Sequence, residues 1–108
     1  MAKPKTKTLR IALGDQLHLS VKGQSGNAVC SAGALEGGNW TNWSPQALDS
    51  GVFHTPQGPC TIEFLADFLT QQAGELTVAV AAPQKQVTWT VKAADGERQT
   101  WQLWVLTN

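Results

Sequence analysis

Residues 37–51 read Gly-Gly-Asn-Trp-Thr-Asn-Trp-Ser-Pro-Gln-Ala-Leu-Asp-Ser-Gly, with Trp40 and Trp43 three positions apart among polar neighbours. An indole offers a large apolar face and one N–H donor. Exposed, it stacks on flat rings such as bases and sugars, or it sits at a membrane–water interface, where amphipathic rings are favoured. Asn39, Asn42 and Gln46 add amides that both donate and accept, which suits a hydroxyl-bearing ligand. On a strand the two rings would point to opposite faces. The surrounding Gly, Asn and Ser point instead to a loop in which both rings are exposed. The plainer alternative is that one Trp plugs the end of the core. Asn39-Trp40-Thr41 and Asn42-Trp43-Ser44 also match the N-glycosylation sequon, which matters only on a secreted eukaryotic chain.

The other reactive side chains are scattered. His18 and His54 are the two groups that ordinarily titrate near neutral pH. With Cys30 and Cys60 they form a set that zinc accepts chemically, but their spacing fits no short-range zinc motif. No metal and no cofactor is therefore expected. Cys30 and Cys60 allow one disulfide, and buried free thiols are the alternative. Glu36, Asp49, Glu63 and Asp67 read as solvated charges, not as a carboxylate pair facing across a cleft. No Gly-x-Ser-x-Gly elbow, phosphate-cradling Gly-Lys-Ser/Thr or His-Glu-x-x-His occurs. No catalytic residue is assigned, and a non-enzymatic binding module is expected.

The elements that must position these residues read as strands. Leu9, Ile11 and Leu13 alternate with polar neighbours, as do Leu17, Leu19 and Val21. The Gly14-Asp15 turn between these two runs suggests a hairpin, or at least neighbours in one antiparallel sheet. Residues 28–35 form a weaker, small-residue candidate. Residues 60–69 fit both periods: Ile62, Phe64, Ala66 and Phe68 repeat every second position, while Ile62, Leu65, Phe68 and Leu69 make a helical stripe. Strand is favoured for the first half, and a helical turn within residues 61–72 stays open. Leu76, Val78 and Val80 alternate, then Val87, Trp89 and Val91. Asp95-Gly96 is a strong hairpin signal ahead of the final strand. There Trp101, Leu103 and Val105 share one face, and Trp104 and Leu106 lie on the other. A strand apolar on both faces is central or covers something outside, so Trp104 and Leu106 are candidate interface residues.

Seven or so short strands with regular turn signals predict an all-β, single-domain antiparallel β-sandwich over residues 9–108. The length of 108 residues suits one domain with its own core. Eight basic residues balance eight acidic ones, which argues against a nucleic-acid partner. No apolar run approaches the roughly 18 residues of a membrane-spanning helix. Residues 1–8 read as a flexible basic arm, with Lys3, Lys5, Lys7 and Arg10 able to approach an anionic surface. No secretory signal follows it, so the expected site is the cytoplasm, or the outside by a route without a visible signal.

Leu35-x-x-Gly-x-Trp40, Pro45, Leu48-x-Ser50-Gly51, the Gly-led run of residues 74–80 and Val87-Thr88-Trp89 together resemble the aegerolysin-type β-sandwich family. The match spans residues 35–89 and uses residues common in strands and turns. The chain departs from the family in being shorter, in lacking a Gly-Arg-Ser-like stretch and in lacking a Pro-Trp pair after the late strand. The resemblance implies a sandwich that binds membrane lipid through aromatic loop residues. The first functional expectation is accordingly recognition of a lipid surface by Trp40 and Trp43. A glycan-binding, lectin-like module using the same pair with Asn39, Asn42 and Gln46 is the second. The third is an assembly protein, such as a homo-oligomer, joined through Trp104 and Leu106.

Overall fold

The computed structural model describes residues 5–108 as nine strands and one short α-helix. These are β1 (Lys5–Ile11), β2 (Leu17–Lys22), β3 (Ala28–Glu36), β4 (Asn39–Trp43), α1 (Pro45–Ser50), β5 (Val52–His54), β6 (Cys60–Phe68), β7 (Glu75–Ala81), β8 (Gln86–Lys92) and β9 (Arg98–Thr107). A five-stranded sheet runs β1-β9-β6-β3-β4, and a four-stranded sheet runs β5-β2-β7-β8. The two sheets pack into the expected all-β sandwich. Every pairing is antiparallel except β1 with β9.

Alternation explains most strands. Leu17, Leu19 and Val21 of β2 are buried, as are Leu76, Val78 and Val80 of β7 and Trp101, Leu103 and Val105 of β9. In β6 the even-numbered residues from Cys60 to Phe68 are buried, so period two wins over the helical stripe. At the centre Phe64 stacks on Trp101, with ring centroids 5.4 Å apart and planes 7° apart, and Trp89 closes on both. Offset aromatic contacts of this kind contribute beyond simple burial. β9 lies between β1 and β6; its inward Trp101, Leu103 and Val105 are buried, whereas its outward Trp104 stays exposed and Leu106 half-buried.

Three expectations about neighbours fail. β1 and β2 belong to different sheets, so Gly14-Asp15 carries the chain across the sandwich; Asp15 accepts from the Ala12 N–H at 3.0 Å to tighten that turn. Asp95-Gly96 is not a hairpin turn either. A 3₁₀ turn at Ala93–Asp95 moves the chain from β8 to β9 on the opposite sheet. Both crossings put the inner faces of the strands they join on opposite sides of the core. Lastly, Lys5 to Thr8 are not an arm: they are the start of β1 and pair with Trp101 to Trp104. Lys7 points into the open edge of the sandwich. Its ammonium donates to the Thr88 carbonyl at 2.9 Å and lies 5.2 Å from the Trp89 ring centroid, bridging the two edge strands β1 and β8. Lys3 and the first half of the expected arm lie outside the described residues.

Candidate functional site

The Trp-rich segment is a strand, not a loop. Gly37 and Gly38 have φ of 57° and 81°, as a two-residue turn with both φ positive requires. This turn fixes the register of β4 on β3: Trp40 lies opposite Leu35, Asn42 opposite Gly33 and Trp43 opposite Ala32. Leu35 and Gly33 are on the outer side of the sheet and Ala32 on the inner side. Trp40 and Asn42 therefore face outward, and Trp43 faces inward. Trp43 is half-buried against the core and meets His54 edge-on, with centroids 5.4 Å apart. The expectation that both rings stand exposed in one loop is overturned by the hairpin.

After Trp43 the chain leaves the sheet. Ser44 caps α1, its hydroxyl accepting from the Ala47 N–H at 3.2 Å, and Pro45 occupies the first turn, where its missing N–H costs nothing. Leu48 is fully buried and anchors the helix over β2 and β3. Gln24 fastens its start, donating to the Pro45 carbonyl at 2.9 Å and accepting from the Cys30 N–H at 3.1 Å.

The outer face of the five-stranded sheet is organised in rows. Register places Trp40, Leu35, Thr61 and Trp104 in one row, and Asn42, Gly33, Glu63 and Gln102 in the next. A concavity of about 660 Å³ opens over the second row and continues to Ser31, Leu65 and Thr100. Gly33 creates it. A Cβ there would lie 3.2 Å from Trp40 Cζ3 and 3.1 Å from Asn42 Oδ1, so the indole folds over the bare backbone. Trp40 is still 52% exposed, leaving the side of the ring away from Gly33 in water. Glu63 accepts from Gln102 Nε2 at 2.9 Å, and Gln102 Oε1 accepts from Trp104 Nε1 at 3.3 Å. Trp104 is 50% exposed and borders a second, smaller hollow with Leu35 and Thr61.

Of the residues expected to bind a ligand, Trp40 and Asn42 meet at this concavity, and Trp43 borders it where β4 ends. Asn39 sits at the hairpin turn, donating to the Gly37 carbonyl at 3.4 Å, and Gln46 is exposed on α1; neither lines the concavity. Trp104, expected as an interface residue, shares the outer face with Trp40; Leu106 follows it along β9, half-buried. Glu63, Gln102, Thr100, Ser31 and Gly33 were missed. Each sits at an outward position of a strand whose inward residues were legible, but only the strand order brings them together.

The remaining reactive groups are dispersed. Cys30 and Cys60 are both buried free thiols. Burial pushes the Cys30 thiol up to about 12; burial first, then the nearby Glu36 charge, pushes Cys60 up to about 11. Neither is a poised nucleophile. His54 Nε2 lies 3.4 Å from Glu36 Oε1, linking the two sheets at one end, and Glu36 Oε2 accepts from the Gln57 N–H at 2.7 Å. His18 stacks on Phe53 at 4.5 Å on the other sheet. Among the described residues no three His, Cys, Asp or Glu side chains converge as metal ligands. Asp67 pairs with Arg98 at 2.9 Å on the exposed surface.

Comparison with protein families, with curated proteins and with solved structures finds no match to this chain. The aegerolysin resemblance rests on the sequence pattern alone.

Proposed function

We propose that this protein is a non-enzymatic binding module whose five-stranded sheet binds carbohydrate on its outer face. The observation behind this reading is Trp40 lying over Gly33 beside the amide and carboxylate of Asn42, Gln102 and Glu63. A sugar presents C–H groups on its faces and hydroxyls at its rim. An exposed indole matches the first and short polar side chains the second. The open shape suits a ligand laid along a surface rather than one enclosed in a pocket.

The same face also supports the lipid-surface reading. Val29, Leu35, Trp40 and Trp104 are exposed together on it, and interfacial Trp favours the membrane boundary. The polar row through the concavity favours sugar, because a membrane-inserted face would have to desolvate Glu63.

Calorimetric titration with soluble neutral oligosaccharides, and with anionic and zwitterionic vesicles, separates the two. Saturable sugar binding that Trp40→Ala removes is the expected result. Vesicle binding without sugar binding would overturn the carbohydrate reading in favour of lipid. Silence from both panels would leave the exposed row as an assembly surface, which size-exclusion chromatography of Trp104→Ser would then probe.

A further inference from the structure

Given a carbohydrate ligand, we propose that it is an extended oligosaccharide without acidic groups, lying across the strands from Trp40 to Trp104 with Glu63 flanking its middle; this assignment rests on the carbohydrate reading. Trp40 and Trp104 belong to one row and stand on β4 and β9, with β3 and β6 between them. Three strand spacings separate them, roughly 14 Å. A single sugar ring reaches one indole only, whereas a short chain reaches both.

The two rings are tied to the polar row beside them. Trp40 reaches over Gly33, the partner of Asn42. Trp104 donates its indole N–H to Gln102 at 3.3 Å, and Gln102 donates in turn to Glu63 at 2.9 Å. Gln102 thus spends both ends of its amide on orienting a ring and a carboxylate before any ligand arrives, which lowers the ordering cost of binding.

Charge sets the class of chain. Glu63 has no cationic partner among the described residues. The described cations of this face stand two rows away on either side: Arg98, engaged by Asp67, and Arg10, opposite Leu106. A carboxylate accepts hydroxyl donors well but repels uronates, sulfates and phosphates. Lys5 and Lys7 face inward opposite Trp101 and Leu103, so they do not offset it.

The test is calorimetry of the full chain with neutral gluco-, manno- and xylo-hexasaccharides, their disaccharides, and hexagalacturonate. A neutral hexasaccharide should bind roughly tenfold tighter than its disaccharide, the increment of one added stacking platform. Trp104→Ala should erase that increment while leaving disaccharide affinity in place. Glu63→Gln should raise hexagalacturonate affinity roughly tenfold relative to the neutral chain. Circular dichroism checks that both variants fold. Equal affinity for hexasaccharide and disaccharide, or for acidic and neutral chains on the unaltered protein, would overturn this inference and leave the carbohydrate reading standing. No binding by any sugar would overturn both.

Discussion

On the outer face of the four-stranded sheet, Ser20, Ala79 and Thr88 form one row, and Lys22, Thr77 and Thr90 the next. On the five-stranded sheet the central rows hold Trp40, Leu35, Thr61 and Trp104, then Asn42, Gly33, Glu63 and Gln102. Both faces arise from the same alternation over the same core. The first carries mostly short side chains over these two rows, and its exposed aromatic stack, Phe53 on His18, stands apart at the β5 edge. The second sets the Trp40 indole over a glycine, with Trp104 standing further along the same row, so the surface rises and falls by the thickness of a ring. Relief, not hydrophobicity, distinguishes the central rows of the two faces.

The largest expected effect tests what the faces share. Phe64 packs against both Trp89 of one sheet and Trp101 of the other. Phe64→Ala should cost about 3–5 kcal/mol, and urea unfolding followed by circular dichroism and by Trp fluorescence should give coincident transitions. Separate transitions would mean the sheets do not share one core.

Next comes the contrast between the faces. Trp40→Ala should weaken the binding of a neutral hexasaccharide by about 1–3 kcal/mol, the range for a lost stacking platform, while Thr90→Ala on the opposite face should leave it unchanged. Equal losses from the two would erase the distinction. Gly33→Ala sharpens it further. Its methyl meets Trp40, Asn42 and the Thr41 carbonyl at 3.1–3.2 Å, so the ring must lift. Affinity should fall severalfold with about 1–3 kcal/mol lost in stability, read by calorimetry and thermal unfolding of the same sample.

A pH-dependent effect lies behind the outer face of the five-stranded sheet, where Cys30 and Cys60 point into the core from β3 and β6. Their thiols are raised to about 12 and about 11 in the fold, against 9.0 for the free group. Above pH 9 the unfolded chain loses these protons while the folded chain keeps them. Stability therefore stands in full below pH 9 and declines as pH rises toward 12. Denaturant midpoints measured across that window should fall, and Cys30→Ala should flatten the fall relative to its own value at pH 8.

Much of this was legible in the chain. Leu17, Leu19 and Val21, or Trp101, Leu103 and Val105, announce buried strand faces because every second residue is apolar. β4 was not legible, because an edge strand with Trp43 as its one half-buried residue leaves no burial pattern in Asn-Trp-Thr-Asn-Trp. Its signal was Gly37-Gly38, the pair that makes a tight turn after a strand. α1 also had a signal in Ser44-Pro45, an N-cap followed by a first-turn proline. Asn39 and Gln46 were grouped with Trp40 by closeness in sequence, and the turn and the helix then carried them away from it.

The sequence by itself determined most of the segments that are strands and which side of them faces the core, because side-chain direction alternates with a period of two that any short buried stretch displays. It did not determine which strands become neighbours. Gly14-Asp15 and Asp95-Gly96 look like hairpin turns locally, yet both cross between sheets, since burying Trp89 against Phe64 and Trp101 requires β8 and β9 to face each other. Only that packing brings Glu63, Gln102 and Trp104 beside Gly33 and Trp40, from strands far apart in the chain. The candidate site is a product of strand order, and strand order is settled by the core rather than by any segment that contributes to the face.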